Sequence, residues 1–212
     1  MSKNTNRDKA FSLAEVVIVV GIIGLIAELT LPELISKFQE QVYKVAYKKA
    51  FSVASQAWTS AVLEYNIVER PTWTDGATRV SNFNAFKQYI KVAKDCNNNN
   101  NSQCWDSSGE KYCFNFPDNS APAFLDASGM AWSINTDAAS NINGAELLLD
   151  TNGLKKPNKY GQDRFILLPY SSDSTNIGLP VKILPHVDST YDVNVCPSGT
   201  IHPCYYTSWL YD

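Results

Sequence analysis

Phe11-Ser12-Leu13-Ala14-Glu15 opens an apolar run, FSLAEVVIVVGIIGLIAELTLP, that ends at Pro32. As a helix rising roughly 1.5 Å per residue, the run from Phe11 to Leu31 matches a hydrocarbon core of about 30 Å. The preceding MSKNTNRDKA is polar, with Lys3, Arg7 and Lys9 against Asp8. Basic residues ahead of a span favour a cytoplasmic N-terminus. A secretory signal places its small-residue cleavage site after a shorter apolar core. Here the small residue, Ala10, comes before the core. A cut between Ala10 and Phe11 would discard residues 1–10 as a leader and keep the membrane helix.

Two acids lie in the run. A carboxylate at mid-membrane costs about 2.5–3.5 kcal/mol on insertion scales, so it is expected to have a partner or a task. For Glu15 the alternative is a shallow position bent toward the cytoplasmic headgroups. Glu28 is expected near the outer interface or facing another subunit.

These features resemble the N-terminal signal of type IV pilins and type II secretion pseudopilins. Phe11-Ser12-Leu13-Ala14-Glu15 is similar to the family's Phe-Thr-Leu-hydrophobic-Glu box, with the glutamate fifth after the cut. Gly21, Gly24 and Pro32 stand where the family places helix-loosening residues, and Ala10 replaces the usual glycine before the cut. The resemblance implies processing by a prepilin peptidase between Ala10 and Phe11, and N-methylation of Phe11. It implies that Glu15 pairs with the terminal amine of a neighbouring subunit, two buried opposite charges neutralising one another. The implied partners are other pilin or pseudopilin subunits and an inner-membrane assembly platform. The implied place is the cytoplasmic membrane, single-pass with the globular domain outside the cytoplasm, and then an extracytoplasmic filament.

Beyond Pro32 the pattern becomes amphipathic. Phe38, Val42, Val45, Ala46, Ala50, Val53, Ala54, Ala57 and Ala61 recur at three- and four-residue steps, with Lys37, Lys44, Lys48 and Lys49 on other faces. One helix over residues 11–66 is predicted, membrane-spanning over 11–31, amphipathic over 32–66 and loosened near Pro32. The remainder, 67–212, reads as a globular domain. A helix is expected around Asn82–Lys94, and Asn97–Asn101 as an exposed loop. Phe124–Ile134 reads as a hairpin turning at Asp126–Gly129, and Ala145–Leu149 with Arg164–Leu168 as a second strand pair. The tail from Val181 reads as mostly irregular. A long helix followed by antiparallel strands is an α+β arrangement, in agreement with the pilin fold that the resemblance implies. The hairpin, the Asp-x-Asn-Gly segment from Asp150 and the late Trp209 also resemble a pseudopilin subgroup.

The net charge is −3, and acidic residues outnumber basic ones two to one after Cys113, which disfavours nucleic acid. The five cysteines do not form the paired knuckles of a zinc site, and disulfides behind a membrane-inserting N-terminus are expected. Cys196–Cys204 and Cys96–Cys104 are the expected pairs, with Cys104–Cys113 the alternative to the latter. No nucleophile elbow, phosphate-binding loop or zinc-protease motif is present, and of His186 and His202 only the latter lies near a cysteine. No catalytic residues and no required cofactor are therefore expected.

One loop invites a cation. Asp150, Asn152, Leu154 through its carbonyl, and Asp163 are candidate calcium ligands, since calcium takes six to eight oxygens from flexible loops. The alternative is a cation-free turn in which these Asx side chains cap backbone amides. The function expected is that of a structural filament subunit of a pseudopilus or pilus. The alternative is a minor pilin that serves as a tip adhesin or DNA-capture module.

Overall fold

Leu13 to Tyr65 forms a single α-helix of 53 residues, α1, in the computed structural model, which describes residues 12–65, 76–96, 101–108, 121–134, 147–170, 182–185 and 208–211. Pro32 lies inside α1 and supplies no N–H for the carbonyl of Glu28. Thr30 Oγ1 donates back to the Ile26 carbonyl at 2.9 Å one turn earlier. The helix continues through this point, and its ladder begins where Val16 N donates to Ser12 O at 3.3 Å.

The chain divides into two compact units, Met1–Val42 and Tyr43–Asp212. In the first, the apolar side chains of α1 lie open: Leu13, Ile23 and Leu29 are 83%, 60% and 80% exposed. This stretch is long and apolar enough to cross a membrane.

In the second unit, the α1 stripe Tyr47, Ala50, Ala54, Ala57, Trp58 and Ala61 is buried. Four alanines on one face let a helix backbone approach its neighbours closely. A six-stranded antiparallel sheet follows in the order β1 to β6, each strand paired with the next in sequence. Its strands are β1 Val92–Asp95, β2 Ala123–Asp126, β3 Ala131–Ile134, β4 Leu147–Asp150, β5 Arg164–Tyr170 and β6 Lys182–Pro185. Two further helices are α2, Gly76–Lys87, and α3, Ser208–Tyr211. The arrangement is α+β.

Aromatic rings join these elements. Tyr47 of α1 stacks on Phe165 of β5 at 4.0 Å between centroids, and Trp209 of α3 meets the same ring at 5.9 Å. Trp58 and Trp132 flank Phe86 of α2 at 5.8 and 5.7 Å. The β2–β3 hairpin is organised by one buried carboxylate. Asp126 Oδ1 accepts the amides of Ser128 and Met130 at 2.7 and 3.1 Å, and Oδ2 accepts Trp132 Nε1 at 3.0 Å. Gly129 supplies the positive φ of 84° that the turn requires.

Several sequence expectations need correction. The helix expected over Asn82–Lys94 ends at Lys87, and Val92–Asp95 is strand β1 on β2. Asn101 is not exposed but fully buried, at the start of a 3-10 turn, Asn101–Gln103. The tail contains β6, paired with β5, and α3. Val45 is 65% exposed, because it lies about 200° around the helix from Tyr47. Phe38 and Val42 are likewise exposed, at 69% and 49%.

The alanine stripe leads to a direct test. Ala54→Leu should destabilise the second unit by about 1–3 kcal/mol through overpacking. Gln56→Leu, on the exposed face, should stay within about 0.5 kcal/mol. Urea unfolding of the detergent-solubilised chain, followed by tryptophan fluorescence, measures both.

Candidate functional site

Two groups of polar residues stand out, one in each unit. The first lies at the start of α1. Ser12 N and Ser12 Oγ both donate to Glu15 Oε2, at 2.8 and 3.0 Å, and Glu15 N donates back to Ser12 Oγ at 3.2 Å. This reciprocal set is a capping box, which satisfies amides that the first helical turn otherwise leaves without partners. Both side chains are exposed in the chain by itself. The sequence signal was present, since Ser-x-x-Glu ahead of an apolar run is a helix-start signature. The expected reading of Glu15 took account of the acid and missed the serine. Glu28 is also exposed, and Ala10 and Phe11 lie outside the described residues.

The second group surrounds the loop between β4 and β5. Each carboxylate oxygen in it already has a protein donor. Asp163 Oδ1 accepts Lys159 N at 2.6 Å, and Oδ2 accepts Asn158 N at 2.7 Å and Asn152 Nδ2 at 3.0 Å. Asp150 Oδ1 accepts Asn152 N at 3.2 Å, and Oδ2 accepts Arg164 Nε at 2.9 Å. The Asp150–Arg164 pair is buried on both sides. Burial pushes the Asp150 carboxyl up to about 7, with Arg164 opposing the rise. Burial also raises Asp163, against the pull of its amide donors.

Arg164 reaches further. Its Nη2 donates to the carbonyl of Asp106 at 2.5 Å, and its guanidinium lies 4.8 Å from the Trp105 ring centroid. Asn158 Nδ2 donates to Asp106 Oδ2 at 2.6 Å. Asp106 belongs to the segment that follows the Cys96–Cys104 disulfide, whose sulfurs are 2.00 Å apart. One buried arginine thereby ties the sheet, the Asx-rich loop and the disulfide-closed segment together. Sequence reasoning missed Arg164, Asp106 and Asn158. The available signal was a lone charge opening the apolar run Phe165–Leu168.

Asp150, Asn152 and Asp163 are brought together as expected, whereas the Leu154 side chain is 43% exposed. Gly153 is required at its position: its φ is +72°, and a Cβ there would lie 2.4 Å from the Gly129 carbonyl oxygen. Two buried amide oxygens, Asn152 Oδ1 and Asn158 Oδ1, have no hydrogen-bond donor. They are the oxygens left to a cation once the carboxylates are engaged. With Lys155 and Lys156 in the same loop, they fall short of the six to eight oxygens that calcium takes. Among the described residues no group of three or more His, Cys, Asp or Glu comes together to hold a metal ion.

The Cys96–Cys104 pair is formed. Cys113, Cys196, Cys204, His186 and His202 lie outside the described residues. Comparison with protein-family models, with curated proteins and with solved structures gives no match to this chain.

Two outcomes are expected from the loop. Arg164→Met should cost about 3–5 kcal/mol in urea unfolding, because it strands Asp150 as a buried, unpaired acid. Adding Asp150→Leu should recover a large part of that loss. Exchange of about 1 mM calcium for a chelator should leave the thermal midpoint of the detergent-solubilised chain unmoved, since only a ligand of the folded state raises it. A rise with calcium would mean that a cation does enter the loop.

Proposed function

We propose that this chain is a structural subunit of a type II secretion pseudopilus or type IV pilus. It is made with residues 1–10 as a leader, cut between Ala10 and Phe11 by a prepilin peptidase, and assembled through α1. The observation that carries the reading is α1 itself. Its N-terminal part is an uncovered apolar helix that begins on a carboxylate, while its C-terminal part is built into an α+β unit. A catalytic domain that needs only a membrane tether has no use for an acid at that position. A subunit that must recruit its neighbour inside a bilayer does, because a buried charge is comfortable only when paired.

The same reading gives the chain its place and partners. It lies in the cytoplasmic membrane with the second unit outside the cytoplasm, then in a filament with other pilin-like subunits, fed by an inner-membrane assembly platform. The disulfide fits that side of the membrane, where thiols are oxidised. The chain acts as a building block and not as an enzyme.

The test uses cells with an active prepilin peptidase. The membrane-extracted protein should have a mass that begins at Phe11, and an intact Met1 start would contradict the reading. Glu15→Ala and Glu15→Gln should insert and be cut normally. Their incorporation into sheared filaments should fall by about tenfold or more, as expected when one partner of a buried pair is lost.

A further inference from the structure

The capping box does more than start a helix. A glutamate side chain has three rotatable bonds, and a freely rotating carboxylate offers its charge in many directions. Here Oε2 is held twice by one residue, through the Ser12 amide at 2.8 Å and the Ser12 hydroxyl at 3.0 Å. The same hydroxyl accepts Glu15 N at 3.2 Å, so its orientation is fixed as well. Oε1 takes no hydrogen bond among the described residues. One oxygen is anchored and the other is presented.

We infer that Ser12 is a positioning residue for Glu15, orienting Oε1 toward the cationic donor of an incoming subunit. The inference rests on the proposed assembly through Glu15, and it names the group that prepares that acid. Two physical effects support it. Fixing a rotamer-rich side chain before association removes an ordering cost from the association itself. In an apolar surrounding, a carboxylate oxygen without a donor is strongly disfavoured, and Ser12 satisfies Oε2 before any partner arrives. The remaining oxygen then receives the short, charge-assisted bond that an ammonium provides. The serine acts only through Glu15 and does not itself touch the partner.

The test separates positioning from helix capping. Ser12→Gly keeps much of the capping function, since glycine is a tolerated helix N-cap, but removes the hydroxyl. Ser12→Thr keeps the hydroxyl. Each full-length variant is expressed in cells with an active prepilin peptidase, beside Glu15→Gln. Incorporation is scored as sheared-filament protein relative to the cut protein in the membrane, so that a processing defect does not enter the ratio. Amide exchange at Ala14–Val16 reports whether the helix start is intact. Ser12→Thr should incorporate like the parent. Ser12→Gly should lose about tenfold with exchange at the helix start little changed, the size expected when a charge-assisted bond loses its orientation. Parental incorporation by Ser12→Gly alongside a defective Glu15→Gln overturns this inference and leaves assembly through Glu15 standing. Parental incorporation by Glu15→Gln overturns the assembly reading itself. A Ser12→Gly defect that tracks faster exchange at Ala14–Val16, or that Ser12→Thr shares, assigns the serine to capping alone and also overturns the inference.

Discussion

Apolar side chains must be kept out of water, and α1 meets that demand in two different ways. From Tyr47 to Ala61 its buried stripe is covered by the chain's own rings and strands, with Tyr47 on Phe165 and Trp58 on Phe86. From Leu13 to Ile35 nothing in its own unit covers it, and side chains such as Leu13 and Leu29 remain more than three-quarters exposed. A helix of this length with an open apolar half is not stable in water by itself, because most helical stability comes from packing an apolar face. A bilayer, and then other helices, would supply the missing cover. The polar residues that interrupt the open half, Ser12 and Glu15 at its start and Pro32 near its end, mark the places where the cover changes.

The second unit follows the opposite logic, in which polar groups are taken inside and paired. Asp126 closes a hairpin, Asp163 gathers the amides of the β4–β5 loop, and Asp150 meets Arg164 at full burial. Each of these acids is a short side chain at a turn, where backbone amides are available to it. Arg164 is the exception in reach. It carries the only guanidinium among the described residues of that loop and spans from Asp150 to Asp106. A loop organised around an internal cation has less need of an external one.

Much of this was legible in the residues. The three- and four-residue steps of Ala50, Ala54, Ala57 and Ala61 gave the buried helix face, and Asp126-Ala127-Ser128-Gly129 gave the first hairpin. What was misread has physical causes. Phe86, Tyr89, Ile90 and Val92 fit a helical period, yet the chain turns after Lys87 and Val92 pairs with Asp126, an edge contact that local pattern does not reveal. Lys182–Pro185 is too short and too proline-flanked to read as a strand, and its pairing with β5 is a tertiary choice. Asn101 reads as part of a low-complexity loop because nothing in its neighbours foretells burial beside the disulfide. At the start of α1 the Ser-x-x-Glu motif was readable and was overshadowed by the acid itself.

The central claim is that the open half of α1 is covered by other helices of the same kind. It is tested most directly by placing a photo-reactive amino acid at Ile22, which is 52% exposed in the middle of the apolar run. Illumination of cells that assemble filaments should yield a ladder of covalent oligomers. Peptide mapping should place the linkages between Ile22 of one copy and the N-terminal helix of another pilin-like subunit. Products that remain monomeric and carry only lipid adducts, under conditions where filaments form, would contradict the account.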